Sequence, residues 1–168
     1  MIHVCSLARL HATVETTGAG HVVTLLKDTD RVERPRTILE ANHLILGLDD
    51  ISAPCDGYIC PGDEHVQALI EFVHLWDRRK PMVVHCYAGI SRSTAGAFVA
   101  ACALNPRRDE TTIARELRRL SPTATPNARI VSLADRLLGR SGRMIAAIDA
   151  IGRGEMAYEG LPFRLDLE

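Results

Sequence analysis

The sequence predicts an α/β domain with a central, mostly parallel sheet of about four to five strands flanked by helices. Three observations carry this. Met82, Val83, Val84, His85 and Cys86 form a short apolar, β-branched run of the kind buried on both faces of a parallel sheet. The segment that follows, 93–104, is small and apolar all round, which suits a buried helix. The length, 168 residues, suffices for one such domain with a real core. The whole of 1–168 is therefore taken as one domain, with 141–168 a C-terminal helix and tail whose packing the sequence leaves open.

Residues 2–7 read as the first strand. They lack the basic segment and long apolar core of an export signal. A short helix over 7–15 is closed by Thr16, Thr17, Gly18, Ala19 and Gly20. Residues 21–26 are rich in β-branched side chains and give strand two. The charged connection 27–35 is expected to be exposed. Strand three covers 42–48 and ends in Asp49 and Asp50. Residues 51–62 are a loop punctuated by Pro and Gly. A helix then runs through Trp76, with Asp63 and Glu64 in its first turn matching the dipole. Its apolar face is Val66, Leu69, Ile70, Val73 and Trp76, and Trp76 reads as a core anchor.

After the strand at 82–86 and the helix at 93–104, Asn105 and Pro106 stop the helix, since the residue before proline avoids the helical region. Residues 109–120 form an amphipathic helix with Ile113, Leu117 and Leu120 inward, and Arg115, Arg118 and Arg119 read as its solvated face. A Pro-rich connection, 121–127, leads to Asn127, placed to cap a helix over 128–134. A final helix spans 141–151. The tail 152–168 has three open placements: over the sheet edge, frayed, or against another subunit.

Twenty basic and 21 acidic residues leave a formal net charge of −1. No broad basic field invites nucleic acid or an anionic membrane, so any anion affinity must be local. No stretch is long and apolar enough to span a bilayer. Oligomeric state is not set by the sequence. Of the five cysteines, Cys5 and Cys102 lie in apolar stretches and read as core residues. Cys55 and Cys60, with His65 nearby, do not complete a zinc spacing, so no metal is expected. They read as loop cysteines, with reversible disulfide protection of a reactive cysteine as the alternative.

The chemistry concentrates in residues 85–93. Cys86 opens a loop and Arg92 closes it, in the spacing C-x5-R between a strand and a helix. Gly89 lets the loop turn sharply. Such a turn aims successive backbone N–H groups inward, and the positive end of the helix dipole adds to them. The amides of Tyr87, Ala88, Gly89, Ile90 and Ser91, with Arg92, are the candidate substrate cradle. A guanidinium matches two phosphoryl oxygens at once. The same field favours a thiolate, so Cys86 is a nucleophile that needs no separate base. Ser93 is placed to donate to the sulfur as it leaves, and His85 to orient the loop from a buried site.

His85, Cys86, Tyr87, Ala88, Gly89, Ile90, Ser91, Arg92 and Ser93, in the pattern H-C-x-x-G-x-S-R-S, resemble the signature of the protein tyrosine phosphatase superfamily on its compact, dual-specificity side. The resemblance implies the phosphatase-type fold over roughly 1–140 and hydrolysis of phosphate monoesters through a phosphocysteine, with no cofactor. It implies phosphorylated protein or small phosphomonoester substrates and, for a catalytic thiolate, a reducing cytoplasm.

Relatives place a general-acid aspartate after the strand that precedes the helix before the signature strand. Asp50 matches that position, Asp49 is one residue away, and Asp56 in the 51–62 loop is a third candidate. The separation from aspartate to cysteine is longer than in relatives, and the extra residues are placed to act as a lid. Pro126 and Asn127 also match the family, where the asparagine supports the nucleophile loop.

Two phosphate-related readings stand beside the main one. One is a phosphate-binding module with weak or lost catalysis. The other is a phosphoinositide or inositol phosphate phosphatase, disfavoured because Tyr87, Ala88, Ile90 and Ser91 include no lysine. Sulfurtransferase or arsenate reductase chemistry fits less well, since small arsenate reductases carry such a loop near the N-terminus.

Overall fold

The computed structural model describes residues 1–167; Glu168, the last residue of the expected domain, lies outside the described residues. Five strands are described: β1 (Ile2–Ser6), β2 (His21–Leu25), β3 (His43–Leu46), β4 (Met82–Cys86) and β5 (Phe163–Leu165). Six α-helices accompany them: α1 (Leu10–Thr17), α2 (Asp63–Leu75), α3 (Arg92–Leu104), α4 (Glu110–Leu120), α5 (Ala128–Leu137) and α6 (Arg143–Ile151). The sheet order is β3-β2-β4-β1-β5. The first four strands are parallel, and β5 runs antiparallel to β1.

Alternation along the strands splits the core between the two faces, as the two-residue strand period requires. Ile2, Val4, Val23, Met82, Val84 and Cys86 pack in the main core with α2 through α6. Cys5, Val22 and Val83 face the other way, against Leu10 and Val14 of α1, Ala19 and Ile38. The central strand β4 is buried along its whole length, as its composition predicts. Trp76 is buried, with its indole N–H on the Lys80 carbonyl at 2.9 Å.

The structure settles one placement left open by the sequence and departs from the sequence reading elsewhere. The tail takes one of its three open placements, at the sheet edge: residues 163–165 supply an antiparallel edge strand, with Val4 opposite Phe163 and Ile2 opposite Leu165. The last helix starts at Arg143 because Ser141 and Gly142 take left-handed backbone, φ 53° and 85°. The Asp135 carboxylate then caps α6 by accepting from the N–H groups of Gly142 (2.6 Å) and Met144 (2.8 Å). Arg118 is not on a solvated face. It donates to the carbonyls of Ile151 (2.6 Å), Gly152 (2.8 Å) and Ala124 (2.7 Å), tying the end of α6 to the α4–α5 connection.

Candidate active site

The site grows from the C-terminal end of β4, where parallel α/β sheets place their ligand crevices. β4 ends at Cys86 and α3 begins at Arg92, so Tyr87–Ala88–Gly89–Ile90–Ser91 is a connection directly at a helix N-terminus. The residues opposite in register are Ser6 of β1 to Cys86 and Cys5 to His85.

Each loop carbonyl is turned toward a neighbouring segment. Tyr87 O accepts from Leu7 N–H (3.1 Å), Ala88 O from Gly160 N–H (2.9 Å) and Ile90 O from Thr125 N–H (2.9 Å). Ser91 O accepts from Ala95 N–H (3.0 Å) and Asn127 N–H (3.3 Å), while the Thr94 hydroxyl donates to Ile90 O and Ser91 O. Gly89 O faces Gly160, where a Cβ would sit 2.8 Å from it. None of the described peptide bonds is cis, so each carbonyl fixes the next N–H in the opposite direction. The N–H groups of Ala88 through Arg92 are thereby turned to the interior of the loop. That of Gly89 donates to Cys86 Sγ at 3.3 Å.

Gly89 has two reasons to be glycine. Its φ is +73°, and a Cβ would lie 2.8 Å from Ser6 N and 2.9 Å from Cys5 C. Cys86 is buried, with Ser93 Oγ 3.2 Å from its sulfur. Arg92 donates from Nη1 to the Leu48 carbonyl at 3.0 Å, reaching the segment that carries the aspartates. Its Nε is buried and has no hydrogen-bond partner among the described residues.

His85 is fully buried, and its Nε2 lies 2.6 Å from Thr24 Oγ1, which also contacts His43 Nε2 at 2.8 Å. A single hydroxyl can donate to one imidazole and accept from the other. Burial pushes the His85 pKa down to about 4, with a contact to the Cys86 backbone only partly opposing it, so the ring is neutral at neutral pH. Burial also raises the thiols of Cys5 and Cys102 to about 12, which keeps both protonated.

The three candidate aspartates separate clearly. Asp50 is exposed, and its Oδ1 accepts from Ser91 Oγ (2.7 Å) and Asn127 Nδ2 (2.8 Å), so it is joined to the 87–91 loop. Asp49 instead accepts from Ile59 N–H at 2.7 Å and pairs with Lys27 at 3.3 Å, pinning the base of the 51–60 loop. Asp56 is exposed in that loop, and no contact joins it to residues 86–93 among the described residues. Asn127 combines both expected roles differently from the sequence reading. Its side-chain oxygen caps α5, accepting from Arg129 and Ile130 N–H at 3.1 Å each. Its amide holds Asp50, and only its backbone N–H supports the loop.

Cavities flank the loop on two sides. One, about 220 Å³, is lined by Tyr87 and Arg92 with Lys27, Arg31 and Asp49. The other, about 630 Å³, runs from Asp50, Ile90 and Ser91 to Asp149, Glu155 and Met156. Cys55 and Cys60 are free thiols, exposed and half-buried, and no cluster of three metal-ligating side chains occurs among the described residues. Sequence reasoning did not single out Ser6, Thr24, Leu48, Thr125, Glu159 or Gly160. They lie far from the signature along the chain and bear no motif of their own.

Residues 57–122 match the family model described as Protein-tyrosine phosphatase. Solved structures share the fold. The Cydia pomonella PTP-2 phosphatase superimposes with a TM-score of 0.63 at 18% identity, over 80% of this chain and 84% of that one. DUSP15 does so with 0.63 at 15% identity over 89% of each chain. Human DUSP28 gives 0.62 at 15% identity, over 89% of this chain and 94% of that one. Among curated proteins, no sequence relative matches. The chain therefore has the fold of these phosphatases and carries, over 57–122, the stretch that matches the protein-tyrosine phosphatase model.

Proposed function

We propose that the protein hydrolyses phosphate monoesters in two displacements at Cys86, with Asp50 as the acid and base. The observation that carries this reading is the nucleophile loop, whose carbonyls are taken up by donors elsewhere while the Gly89 N–H meets the Cys86 sulfur and the buried Nε of Arg92 has no partner among the described residues. Such preorganised donors supply most of the stabilisation in phosphoryl transfer.

In the first step the Cys86 thiolate attacks phosphorus and the P–O bond to the leaving group breaks. Asp50 delivers its proton to the departing oxygen. The loop N–H groups and Arg92 hold the three equatorial oxygens, and one of those oxygens gives the buried Arg92 Nε the partner it lacks. In the second step water attacks phosphorus and passes a proton to the Asp50 carboxylate. The P–S bond breaks, and Ser93, 3.2 Å away, donates to the returning thiolate.

The link from Asp50 to Ser91 and Asn127 supports catalysis over simple phosphate binding, because it places a carboxyl at the loop rim. Protein or small-ester substrates fit better than multiply phosphorylated inositol rings. The variable loop positions carry no lysine, and the larger cavity bears Asp50, Asp149 and Glu155. No helix among the described residues is long and apolar enough to cross a membrane. The reading places the enzyme in a reducing compartment such as the cytoplasm, where thiols persist.

The test is p-nitrophenyl phosphate turnover by purified wild type and Cys86→Ser, with mass spectrometry of the acid-quenched wild type. Expected are turnover and a phosphocysteine in the wild type, and neither in the variant. Turnover at the wild-type level by Cys86→Ser overturns the reading.

A further inference from the structure

We propose that Glu159 and Gly160, in the C-terminal tail, are positioning residues for the nucleophile loop; this rests on the function proposed above. The tail is fastened on both sides of them. Upstream, Arg118 holds the carbonyls of Ile151 and Gly152, Gly154 N–H donates to Thr125 Oγ1 at 3.1 Å, and Glu155 N–H donates to Pro122 O at 2.9 Å. Downstream, β5 pairs with β1. Between these anchors the chain crosses the loop, and two contacts there act on the peptide that faces the sulfur.

The first contact is at Gly160, which is buried and donates its N–H to Ala88 O at 2.9 Å. That bond sets the plane of the Ala88–Gly89 peptide, whose other end is the Gly89 N–H on Cys86 Sγ at 3.3 Å. Gly160 must also stay bare: a Cβ there would lie 2.8 Å from Gly89 O and 3.4 Å from Ile90 Cγ1.

The second contact is at Glu159. Its Oε1 accepts from the buried Ser6 hydroxyl at 2.5 Å and lies 3.7 Å from Arg9 Nε. Ser6 is the register partner of Cys86, and its backbone N lies 2.8 Å from where a Gly89 Cβ would sit. Gly89 is thus packed closely against both Ser6 and Gly160, and consecutive tail residues hold both neighbours. Moving either neighbour moves the N–H that touches the nucleophile.

The experiment uses the full chain with Gly160→Ala, Glu159→Ala and Glu159→Gln. Three quantities are read for each: kcat/KM on p-nitrophenyl phosphate, the inhibition constant of orthovanadate, and the ratio of Cys86 alkylation rates by iodoacetate and iodoacetamide. That ratio reports how well the loop holds an anion beside the sulfur, and it needs no turnover. A displacement of a few tenths of an ångström at reacting groups predicts a loss of about tenfold in kcat/KM for Gly160→Ala. Vanadate affinity and the alkylation ratio fall with it. Glu159→Ala loses about threefold in the same quantities, and Glu159→Gln, which keeps the accepting oxygen, restores most of the loss.

A tail that only stabilises the fold would lower Tm while leaving the alkylation ratio and the vanadate constant at wild-type values. That result, in Gly160→Ala and Glu159→Ala alike, overturns the proposal. If Gly160→Ala does not fold, the Glu159 pair decides, and equal losses in Ala and Gln overturn the hydrogen-bond role. A wild type without turnover but with a high alkylation ratio would instead refute the phosphatase reading and leave the positioning role standing.

Discussion

His85 makes the stability of this protein depend on pH, with a size that follows from its burial. The ring is fully buried beside Thr24, and its pKa falls from the ordinary 6.5 to about 4. Between those values the unfolded chain binds a proton on this residue and the folded chain does not. Acid therefore favours unfolding, and the stabilisation present above pH 6.5 is lost progressively as pH falls toward 4. From pH 7 to 4.5 the linkage gives a loss of about 2 kcal/mol from this one residue. For a chain of this size that corresponds to a fall of roughly 4–8 °C in Tm. His3, His21 and His43 are also lowered, chiefly by burial, and add losses of the same sign, so the wild type alone cannot isolate the term. The comparison is with His85→Gln, which keeps a group able to bond Thr24 and does not titrate. Urea unfolding of both proteins at pH 7 and 4.5 should show the wild type losing about 2 kcal/mol more than the variant. Parallel losses would refute the argument, since they would mean that the buried ring is not the group taking up the proton.

Asp50→Asn should lower kcat by about 10²–10³ on phenyl phosphate and much less on an ester with a strongly acidic phenol, because only the former needs the proton; equal losses on both esters would remove Asp50 as the acid. Asp49→Asn should leave kcat within about threefold on both esters, and it should lower Tm, because it loosens the contacts to Lys27 and Ile59 N–H. Glu110 sits with Arg140 in a buried pair at 2.8 Å, side chains 5% and 7% exposed, with Arg143 at 3.2 Å. Glu110→Ala leaves the Arg140 guanidinium buried and unpaired and should cost about 3–5 kcal/mol in denaturant unfolding; a loss below 1 kcal/mol would show that the pair relaxes into solvent.

What the sequence made legible follows from how local each feature is. The strand, loop and helix around Cys86 are contiguous, and every residue type there states its own reason: β-branching, a glycine, a guanidinium, a small-residue helix. The two aspartates after β3 were harder. Adjacent carboxylates differ only in which way the strand end turns, and that depends on Ser91, Asn127, Lys27 and Ile59, none of them nearby in sequence. Arg118 misled for a related reason. Periodicity says that a side chain leaves the apolar stripe, not that another segment will lie over it. The Ser6–Glu159 contact joins residues 153 apart, and no local pattern can announce such a pairing. Residues 163–165 are too few for periodicity to read as a strand, and they are strand only because β1 offers an open edge.

On the function proposed above, the long-range contacts that the sequence hides are the ones that turn a nine-residue signature into an anion site. A loop can present its N–H groups inward only when its carbonyls find donors elsewhere, since each peptide fixes the two in opposition. Here the donors come from the end of β1 at Leu7, the tail at Gly160, the α4–α5 connection at Thr125 and Asn127, and the first turn of α3 at Thr94 and Ala95. No two of the first three are neighbours in the chain, so the cradle forms only once the sheet and tail are in place. A peptide carrying residues 85–93 alone would leave those carbonyls to water and the N–H groups free to turn outward. On the function proposed above, the binding strength of this site is therefore a property of the folded domain, and damage at Leu7, Thr125 or Gly160 would be damage to the anion cradle at a distance along the chain.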